Sequence, residues 1–475
     1  MVKVLLWPLV SALVLSLLPR NKWAQWGNFF LHIPWIVFLV ALIKVTPVGN
    51  AFGLEEVYGS LPVFKSTLAL GADSLNVSLV ALTVFLSFSL SFYFLNHPKI
   101  SPGFLILFQL LNFGTVGSLL AADAFVFYVF WEFMLIPLFF LIGVWGSENR
   151  VYAALKFFAM TLAGSLFLLG GIFFIVTRTQ VQSLEWLEIS RNSAVLSATA
   201  PWLGWAFLAA FLVKIPVWPL HTWLPDAHTE APTAVSVMLA GILLKLGIYG
   251  MLRWVLQLFP TLYWNTTDWL FAAAVIGIIL GSYGALRQKD IKRMIAYSSV
   301  AHLGFVVLGL AATNAAAQSG AFFQNFAHGL STGLLFLCFG MIYDRTHSRK
   351  LDDYGGLATS NRFLAFAFVF ACMASVALPG LPGFVGEFLI LSGTYLQRGW
   401  WVLLPLLGVV LGALYILQLV KTLVFGKVSP LMQSHSFTLK WNEVAAILPF
   451  LVGLVLLGLA PQLLLAWTNG SIPVR

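Results

Sequence analysis

The stretch from residue 210 to residue 247 reads AFLVKIPVWPLHTWLPDAHTEAPTAVSVMLAGILLKLG. It contains two apolar runs with prolines between them, and each run carries one lysine, Lys214 in the first and Lys245 in the second. A lysine at the centre of a membrane-spanning helix costs roughly 2.5–3.5 kcal/mol on insertion scales. Two such lysines predict a membrane fold in which buried charge has a functional use.

Apolar residues dominate the whole chain. The 475 residues are 60% hydrophobic and 9% charged, with a mean hydropathy of +0.92, whereas a soluble domain is roughly 45–50% apolar and about 25% charged.

We expect the first apolar run to be a retained helix and not a signal peptide, because no small-residue cleavage site follows it. A window of about 20 apolar residues predicts fourteen spans, near 2–18, 28–46, 75–95, 101–120, 122–143, 153–177, 201–220, 232–258, 267–286, 293–313, 320–343, 363–397, 402–425 and 443–467.

The basic residues predict the orientation. With fourteen spans, both termini lie on the same side, and Lys and Arg are enriched in cytoplasmic loops. Apart from the two buried lysines, sixteen of the 26 basic residues fall on one side and eight on the side of the termini, so both termini are predicted to face outward. The first set is Arg20, Lys22, Lys99, Arg150, Lys156, Arg287, Lys289, Lys292, Arg293, Arg345, Arg349, Lys350, Arg362, Lys421, Lys427 and Lys440; the second is Lys3, Lys44, Lys65, Arg178, Arg191, Arg253, Arg398 and Arg475.

Two predicted spans contain paired prolines. The seventh reads FLVKIPVWPL and the twelfth reads SVALPGLPGFVGEF, and proline removes a backbone donor, so both helices should be discontinuous. The two breaks stand five spans apart, which favours an inverted repeat with one broken helix in each half. We therefore predict N-terminal helices 1–3 in residues 1–100, a first repeat of helices 4–8 in 101–258, a second of helices 9–13 in 259–425, and helix 14 in 426–475.

Six ionisable residues lie at predicted membrane depth: Glu132, Lys214, Lys245, His302, His328 and Glu387. Charges there need a partner, water or a neutral form, and they often mark ion pathways. We interpret the two lysines and two glutamates as a transfer path, although Glu132 could serve only to pair with a lysine during assembly, Lys245 could snorkel, and Glu387 could be a polar helix end. The two histidines could be relays or packing residues.

Other polar residues have weaker cases. Lys156 is more typical of an interfacial anchor than of a relay, and we predict an auxiliary place on the proton path for it and for His221. The group His221, Asp226, His228 and Glu230 matches no metal-ligand spacing. We expect that group to line a cytoplasmic entrance. The cysteines, Cys338 and Cys372, form no iron–sulfur, haem or zinc motif.

The run PLHTWLPDAHTEAPTAVSVMLAGILLKLG resembles the signature of the proton-pumping membrane family shared by respiratory complex I and the multisubunit Na⁺/H⁺ antiporters. Supporting matches are WEFMLIP around Glu132, QKDIKRMIAYSSVAHLGFV at 288–306, AHGLSTGLLFL at 327–337 and LPGFVGEFLIL at 381–391. With Glu387 in the broken twelfth helix, the chain resembles the branch of the family that carries a glutamate at this position. The L and N branches and the antiporters usually carry a lysine there. The L branch also has a long lateral C-terminal helix, which we do not expect here.

The resemblance implies an all-α polytopic fold of fourteen transmembrane helices with two inverted five-helix repeats and two discontinuous helices. It implies a proton-translocating subunit of NADH:quinone oxidoreductase, with Lys214 as the central site, Glu132 as its partner, Lys245 as the link and Glu387 as the terminal site. No cofactor is expected in this chain, and flavin and iron–sulfur clusters belong to partner subunits. The expected partners are the other membrane subunits, including the L and N siblings, in a bacterial plasma membrane. The alternatives are a subunit of a Na⁺/H⁺ antiporter or membrane-bound hydrogenase, and a structural spacer.

Overall fold

The computed structural model describes residues 1–18, 22–49 and 51–468. Arg20 and Arg475, which entered the orientation argument, lie outside the described residues, as do the last seven residues of the predicted segment 426–475. The described chain is mostly helical, which confirms the predicted all-α membrane class.

The helices follow the predicted spans closely. In chain order they are α1 Val2–Leu17, α2 Lys22–Val45, α3 Ser74–Phe94, α4 Pro102–Leu120, α5 Ala124–Phe133, α6 Leu135–Trp145, α7 Arg150–Arg178, α8 Trp186–Arg191, α9 Ser193–Thr199, α10 Trp202–Lys214, α11 Trp223–Glu230, α12 Thr233–Met238, α13 Leu244–Gly250, α14 Pro260–Asn265, α15 Thr267–Leu286, α16 Ile291–Ala311, α17 Ala315–Thr346, α18 Leu357–Ser360, α19 Arg362–Ser375, α20 Pro382–Arg398, α21 Leu403–Leu423, α22 Pro430–Gln433, α23 Trp441–Leu459 and α24 Gln462–Thr468.

Eleven helices of the described chain are long and apolar enough to cross a membrane, and a bent pair, α9 with α10, makes up to twelve. Two shorter apolar helices, α1 and α19, coincide with the first predicted span and the first half of the twelfth. The count of fourteen crossings and the inverted repeat are consistent with this arrangement and stay predictions.

Both proline-containing spans are broken, as predicted. Helix α10 ends at Lys214, and a short 3₁₀ turn, Leu220–Thr222, leads into α11. Helix α19 ends at Ser375, and the chain resumes as α20 with Pro382 in its first turn. Proline fits the first turn of a helix, where its missing N–H is not needed, but not the interior. The breaks therefore follow from the sequence.

A third span is continuous but irregular. Two π-helical turns, Leu239–Leu243 and Met251–Leu256, flank α13, and with α12 they form one buried span from residue 233 to residue 256. A π turn closes i→i+5 hydrogen bonds and is frequently found at functional sites. Lys245 is the second residue after the first of these turns.

A two-stranded antiparallel hairpin, which the sequence did not predict, connects α2 to α3. Strand β1 is Leu54–Leu61 and strand β2 is Ser66–Ala72, with an irregular register between Val57 and Ser60. The hairpin lies against the start of α5, because Asp123 accepts hydrogen bonds from Ser66 and Thr67. Its second strand contacts α4 and α5.

The most deeply buried helices lie at the centre. In α16, in α17 and in the span 233–256, more than nine-tenths of the residues in the most apolar window are buried within the chain. Helix α17 packs against α16, α19 and α20. The side chains that the sequence singled out on these helices therefore face other helices of this chain.

Candidate functional site

Lys214 occupies the break of the seventh span. Its side chain is 2% exposed, and its ammonium lies 5.1 Å from the ring centre of Trp131 and 5.6 Å from that of Phe157. The indole N–H of Trp223 donates to the Val213 carbonyl at 3.0 Å and folds the connection back on α10. The lysine Nζ has no hydrogen-bond partner among the described residues, so aromatic faces are its main stabilising contacts.

Glu132 approaches Lys214 from the fifth span. Helix α5 ends one residue after it, and α6 begins at Leu135, because Pro137 has no N–H for the carbonyl four residues before it. The carboxylate and the ammonium attract each other electrostatically, and Ser165 hydrogen-bonds to the carboxylate. Glu132 Oε1 and Lys214 Nζ lack hydrogen-bond partners in the described chain, so no direct bond joins the two side chains. The pair is therefore near but open, so a small movement would change its interaction strongly.

Lys245 is completely buried. Its Nζ donates to the carbonyl of Ala240, in the π turn before it, and lies 2.6 Å from His328 Nδ1. Gly247 brings this helix against the break of α10, since a Cβ there would lie 3.2 Å from both the Ile215 nitrogen and the Lys214 Cβ. The two lysines are thus carried by backbones in direct contact.

Polar side chains continue from Lys245 to the twelfth span. The rings of His328 and His302 have centroids 5.6 Å apart. His302 Nδ1 lies 3.2 Å from Glu387 Oε1, and its Nε2 lies 3.1 Å from the Ser375 hydroxyl. Gln324 donates to the same carboxylate oxygen at 3.2 Å. Imidazole can take up a proton on one nitrogen and release one from the other, so this order of groups suits stepwise proton transfer.

The structure therefore brings together all four predicted transfer residues and both histidines. They form two groups: the open pair Glu132 and Lys214, and a chain that leads from Lys245 to Glu387. The roles of these residues in proton transfer stay predictions.

The predicted entrance cluster separates into two ion-paired parts. Asp226 lies 2.6 Å from the Lys156 ammonium and 3.2 Å from Arg293. Glu230 lies 3.2 Å from Arg349. His221 is half-buried. Lys156 is thus held by a carboxylate of α11. Within the described chain no three His, Cys, Asp or Glu side chains are arranged to hold a metal.

Two basic residues that we assigned to loops are buried inside the bundle, so that part of the orientation argument is wrong. Arg253 lies in the second π turn and is ion-paired with Asp73, and its guanidinium carbon is 4.3 Å from the Phe52 ring centre. Lys292 lies in the first turn of α16, is 2% exposed, and donates to the Ala231 carbonyl at 2.8 Å. Their positions next to predicted span ends hid them, because span boundaries are the least reliable part of a sequence-based prediction.

Residues 121–414 match the model of a family described as NADH:quinone oxidoreductase/Mrp antiporter, transmembrane. The chain is 37% identical to NADH-quinone oxidoreductase subunit M of Rickettsia felis, over 96% of this chain and 94% of that protein. It is 38% identical to NADH-ubiquinone oxidoreductase chain 4 of Marchantia polymorpha, over 98% and 95% of the two chains. Its fold is similar to that of a chain in respiratory complex I from Thermus thermophilus with bound NADH, with a TM-score of 0.88, 28% identity and coverage of 99% and 97%.

Proposed function

Because this chain belongs to the NADH:quinone oxidoreductase/Mrp antiporter family of membrane subunits, we propose that it translocates protons as one subunit of a respiratory NADH:quinone oxidoreductase. Quinone reduction in partner subunits would supply the free energy. The relatives that cover almost the whole chain are named subunit M and chain 4 of that complex. Those names favour this function over an antiporter, a hydrogenase or a structural spacer.

The observation that carries the proposal is the chain of contacts from Lys245 to Glu387. Each group has a neighbour with which to exchange a proton. A buried lysine lies next to one histidine, a buried glutamate lies next to a second histidine, and the two imidazole centres are 5.6 Å apart. A spacer would require only that buried charges be neutralised in pairs. It would not require a histidine between them.

The open pair is the second element of the mechanism. Moving one charge across the membrane costs roughly 2.3 kcal/mol for each 100 mV, so the pump needs a group whose affinity for a proton changes during the cycle. When Glu132 approaches Lys214, it stabilises the ammonium; when it withdraws, desolvation leaves the ammonium less stable. The proton then moves towards Lys245.

We also propose the finer points of topology. The first repeat would comprise residues 101–258 and the second 259–425, with both termini on the outer side of a bacterial plasma membrane and the L and N siblings as neighbours. No redox group is assigned to this chain in the proposed function. Its part of the reaction is proton transfer alone.

The test is proton pumping by the complex with Lys214→Ala, measured in proteoliposomes against electron transfer, with assembly checked on a native gel. The matched control is Lys44→Ala, which removes a lysine at the exposed end of α2. We expect pumping per electron to fall in the first variant and to keep its normal value in the second. An assembled Lys214→Ala complex that pumps normally would refute the transfer role and favour a spacer.

A further inference from the structure

Helices α17 and α20 pack closely beside Glu387, because glycines form their contact. On α17, a Cβ at Gly320 would lie 2.6 Å from the Leu389 Cβ. On α20, a Cβ at Gly386 would overlap the amide oxygen of Gln324, which belongs to α17. There is no room for a larger side chain at residue 386. The glycine before Glu387 therefore brings α20 directly against Gln324.

Gln324 is buried and uses the two atoms of its amide group differently. Its side chain is 2% exposed, and its Nε2 donates to Glu387 Oε1 at 3.2 Å. Its own amide oxygen has no hydrogen-bond partner among the described residues. Buried polar atoms nearly always have a partner, and an unsatisfied one is costly. An apolar side chain of the same size would pack the two helices without that cost, so the donor is the part of Gln324 that has a use.

This contact makes the two oxygens of the Glu387 carboxyl group different from each other. A carboxylate oxygen has two acceptor positions. At Oε1, the N–H of Gln324 occupies one of them, and the other is left for His302 Nδ1, which lies 3.2 Å away. Oε2 has no hydrogen bond to the described residues. Without Gln324, the carboxyl group could turn about its last carbon–carbon bond and exchange the two oxygens.

His302 can meet Oε1 either as a donor or as an acceptor. Its other ring nitrogen, Nε2, lies 3.1 Å from the Ser375 hydroxyl, and a hydroxyl group can donate or accept. Ser375 therefore suits both neutral tautomers of the ring and the doubly protonated ring. Proton exchange between His302 and Glu387 then depends on whether Oε1 faces the ring.

We propose that Gln324 is a positioning residue for proton transfer between His302 and Glu387. This proposal rests on the proposed function. The N–H of Gln324 holds Oε1 next to the His302 ring and keeps the carboxyl group from turning. When the proton moves from Nδ1 of the doubly protonated ring to Oε1, an N–H bond breaks and an O–H bond forms. The ring becomes neutral, the carboxylate becomes a carboxylic acid, and no electrons move.

One face of α17 serves both ends of the chain of groups from Lys245 to Glu387. Gln324 and His328 are four residues apart, a spacing that places them on the same side of a helix. His328 contacts Lys245, and Gln324 contacts Glu387. A single helix therefore fixes the first and the last group of this chain relative to each other.

Pumping per NADH oxidised by the assembled complex tests this role. Gln324→Met keeps the length of the side chain and removes the donor. The matched control is Gln318→Met, because Gln318 is also a buried glutamine of α17 with an unpartnered amide oxygen, and its Nε2 donates to the Ala312 carbonyl. A misplacement of about 1 Å can slow a reaction by about 100-fold. We expect pumping by Gln324→Met to fall towards that of Glu387→Gln, and the control to pump normally.

Two measurements separate positioning from a merely structural role. The ratio of coupled turnover in H₂O to that in D₂O should rise in Gln324→Met, because a slowed proton transfer then limits the rate, and should stay unchanged in Gln318→Met. When Glu387→Gln is already present, Gln324→Met should cause no further loss of pumping, because Gln324 acts through Glu387. An unchanged isotope ratio in Gln324→Met, or a further loss in the double variant, would overturn the proposal.

A variant on the other helix reaches the same contact. Gly386→Ala should push the Gln324 amide away from Glu387 and lower pumping as Gln324→Met does. Its control is Gly393→Ala, two turns along α20, where the added Cβ would meet Asn314 Oδ1 at 2.5 Å and not Gln324. Normal pumping by Gly386→Ala, or an equal loss in both variants, would contradict the positioning role.

The outcomes separate this proposal from the proposed function. If Glu387→Gln and Lys214→Ala lose pumping while Gln324→Met does not, the positioning role is refuted and the proposed function stands. If none of the three loses pumping, the proposed function itself fails.

Discussion

Replacing Asp73 by asparagine should lower the free energy of unfolding, because the Arg253 guanidinium loses its carboxylate partner. Asp73 Oδ1 caps α3 by accepting from the Leu75 and Asn76 amides, both at 3.0 Å. Its Oδ2 accepts from the Phe52 amide at 2.8 Å and from Arg253. Asparagine keeps the Oδ1 cap but replaces Oδ2 by a donor. The variant therefore loses one backbone hydrogen bond and one buried ion pair.

The magnitude follows from these two losses. Removing one partner of a buried ion pair costs about 3–5 kcal/mol, and the lost amide bond adds roughly 1 kcal/mol. Arg253 keeps a hydrogen bond to Gln257 at 3.0 Å and its contact with the Phe52 ring, which places the ion-pair loss at the lower end of that range. We expect the free energy of unfolding to fall by about 4 kcal/mol.

Asp123→Asn is the matched control. Asp123 also caps a helix through Oδ1, with the Phe125 and Val126 amides, and its Oδ2 accepts from the Thr67 amide at 3.0 Å. No basic residue of the described chain forms an ion pair with it. This variant should lose only about 1 kcal/mol.

The assay is unfolding of the purified chain by sodium dodecyl sulfate in mixed micelles, followed by circular dichroism. If Asp73→Asn costs no more than Asp123→Asn, the ion pair contributes nothing and the reasoning is wrong. A double variant, Asp73→Asn with Arg253→Met, removes the unpaired charge and should be more stable than Asp73→Asn alone.

Two further substitutions probe the site. Gly247→Ala adds a Cβ that would meet Ile215 Cγ1 at 2.8 Å, so we expect the free energy of unfolding to fall by about 1–3 kcal/mol. The control Gly170→Ala changes an exposed position with nothing within 4 Å and should raise the free energy of unfolding by about 0.5–1 kcal/mol. If the two variants change stability equally, the close approach at Gly247 is contradicted. His328→Leu removes the only side chain bonded to Lys245 in the described residues and should lower pumping per electron without changing assembly on a native gel. His328→Gln should not restore pumping, because an amide does not carry protons at neutral pH, and full activity of this variant would refute the relay.

The sequence predicted the elements that depend on strong local signals. Paired prolines located both helix breaks, and lysines and glutamates in apolar runs located Lys214, Lys245, Glu132 and Glu387, because each of these features is costly in a membrane and stands out against its surroundings. The two histidines lie buried in α16 and α17, inside predicted spans. Their contacts with Lys245 and Glu387 depend on how α16, α17 and α20 pack, which periodicity does not reveal.

Other features had no readable signal. Arg253 and Lys292 lie within a few residues of predicted span ends, where a basic residue normally faces water, so their burial depends on contacts with distant segments. The π turns beside Lys245 have no distinctive composition. The hairpin β1–β2 fell between predicted spans, and its partner Asp123 is more than fifty residues away.

The π turns on both sides of α13 offer a way in which the segment that carries Lys245 could rotate, which a regular helix does not offer. Each wide turn holds a residue in excess of regular α-helical spacing, and one residue corresponds to about 100° of rotation around the helix axis. If the excess residue moved from one turn to the other, the seven residues of α13 would swivel as a unit while the ends of the span stayed in place. The ammonium would then point towards a different neighbouring helix, and neither end of the span would have to move along the helix axis.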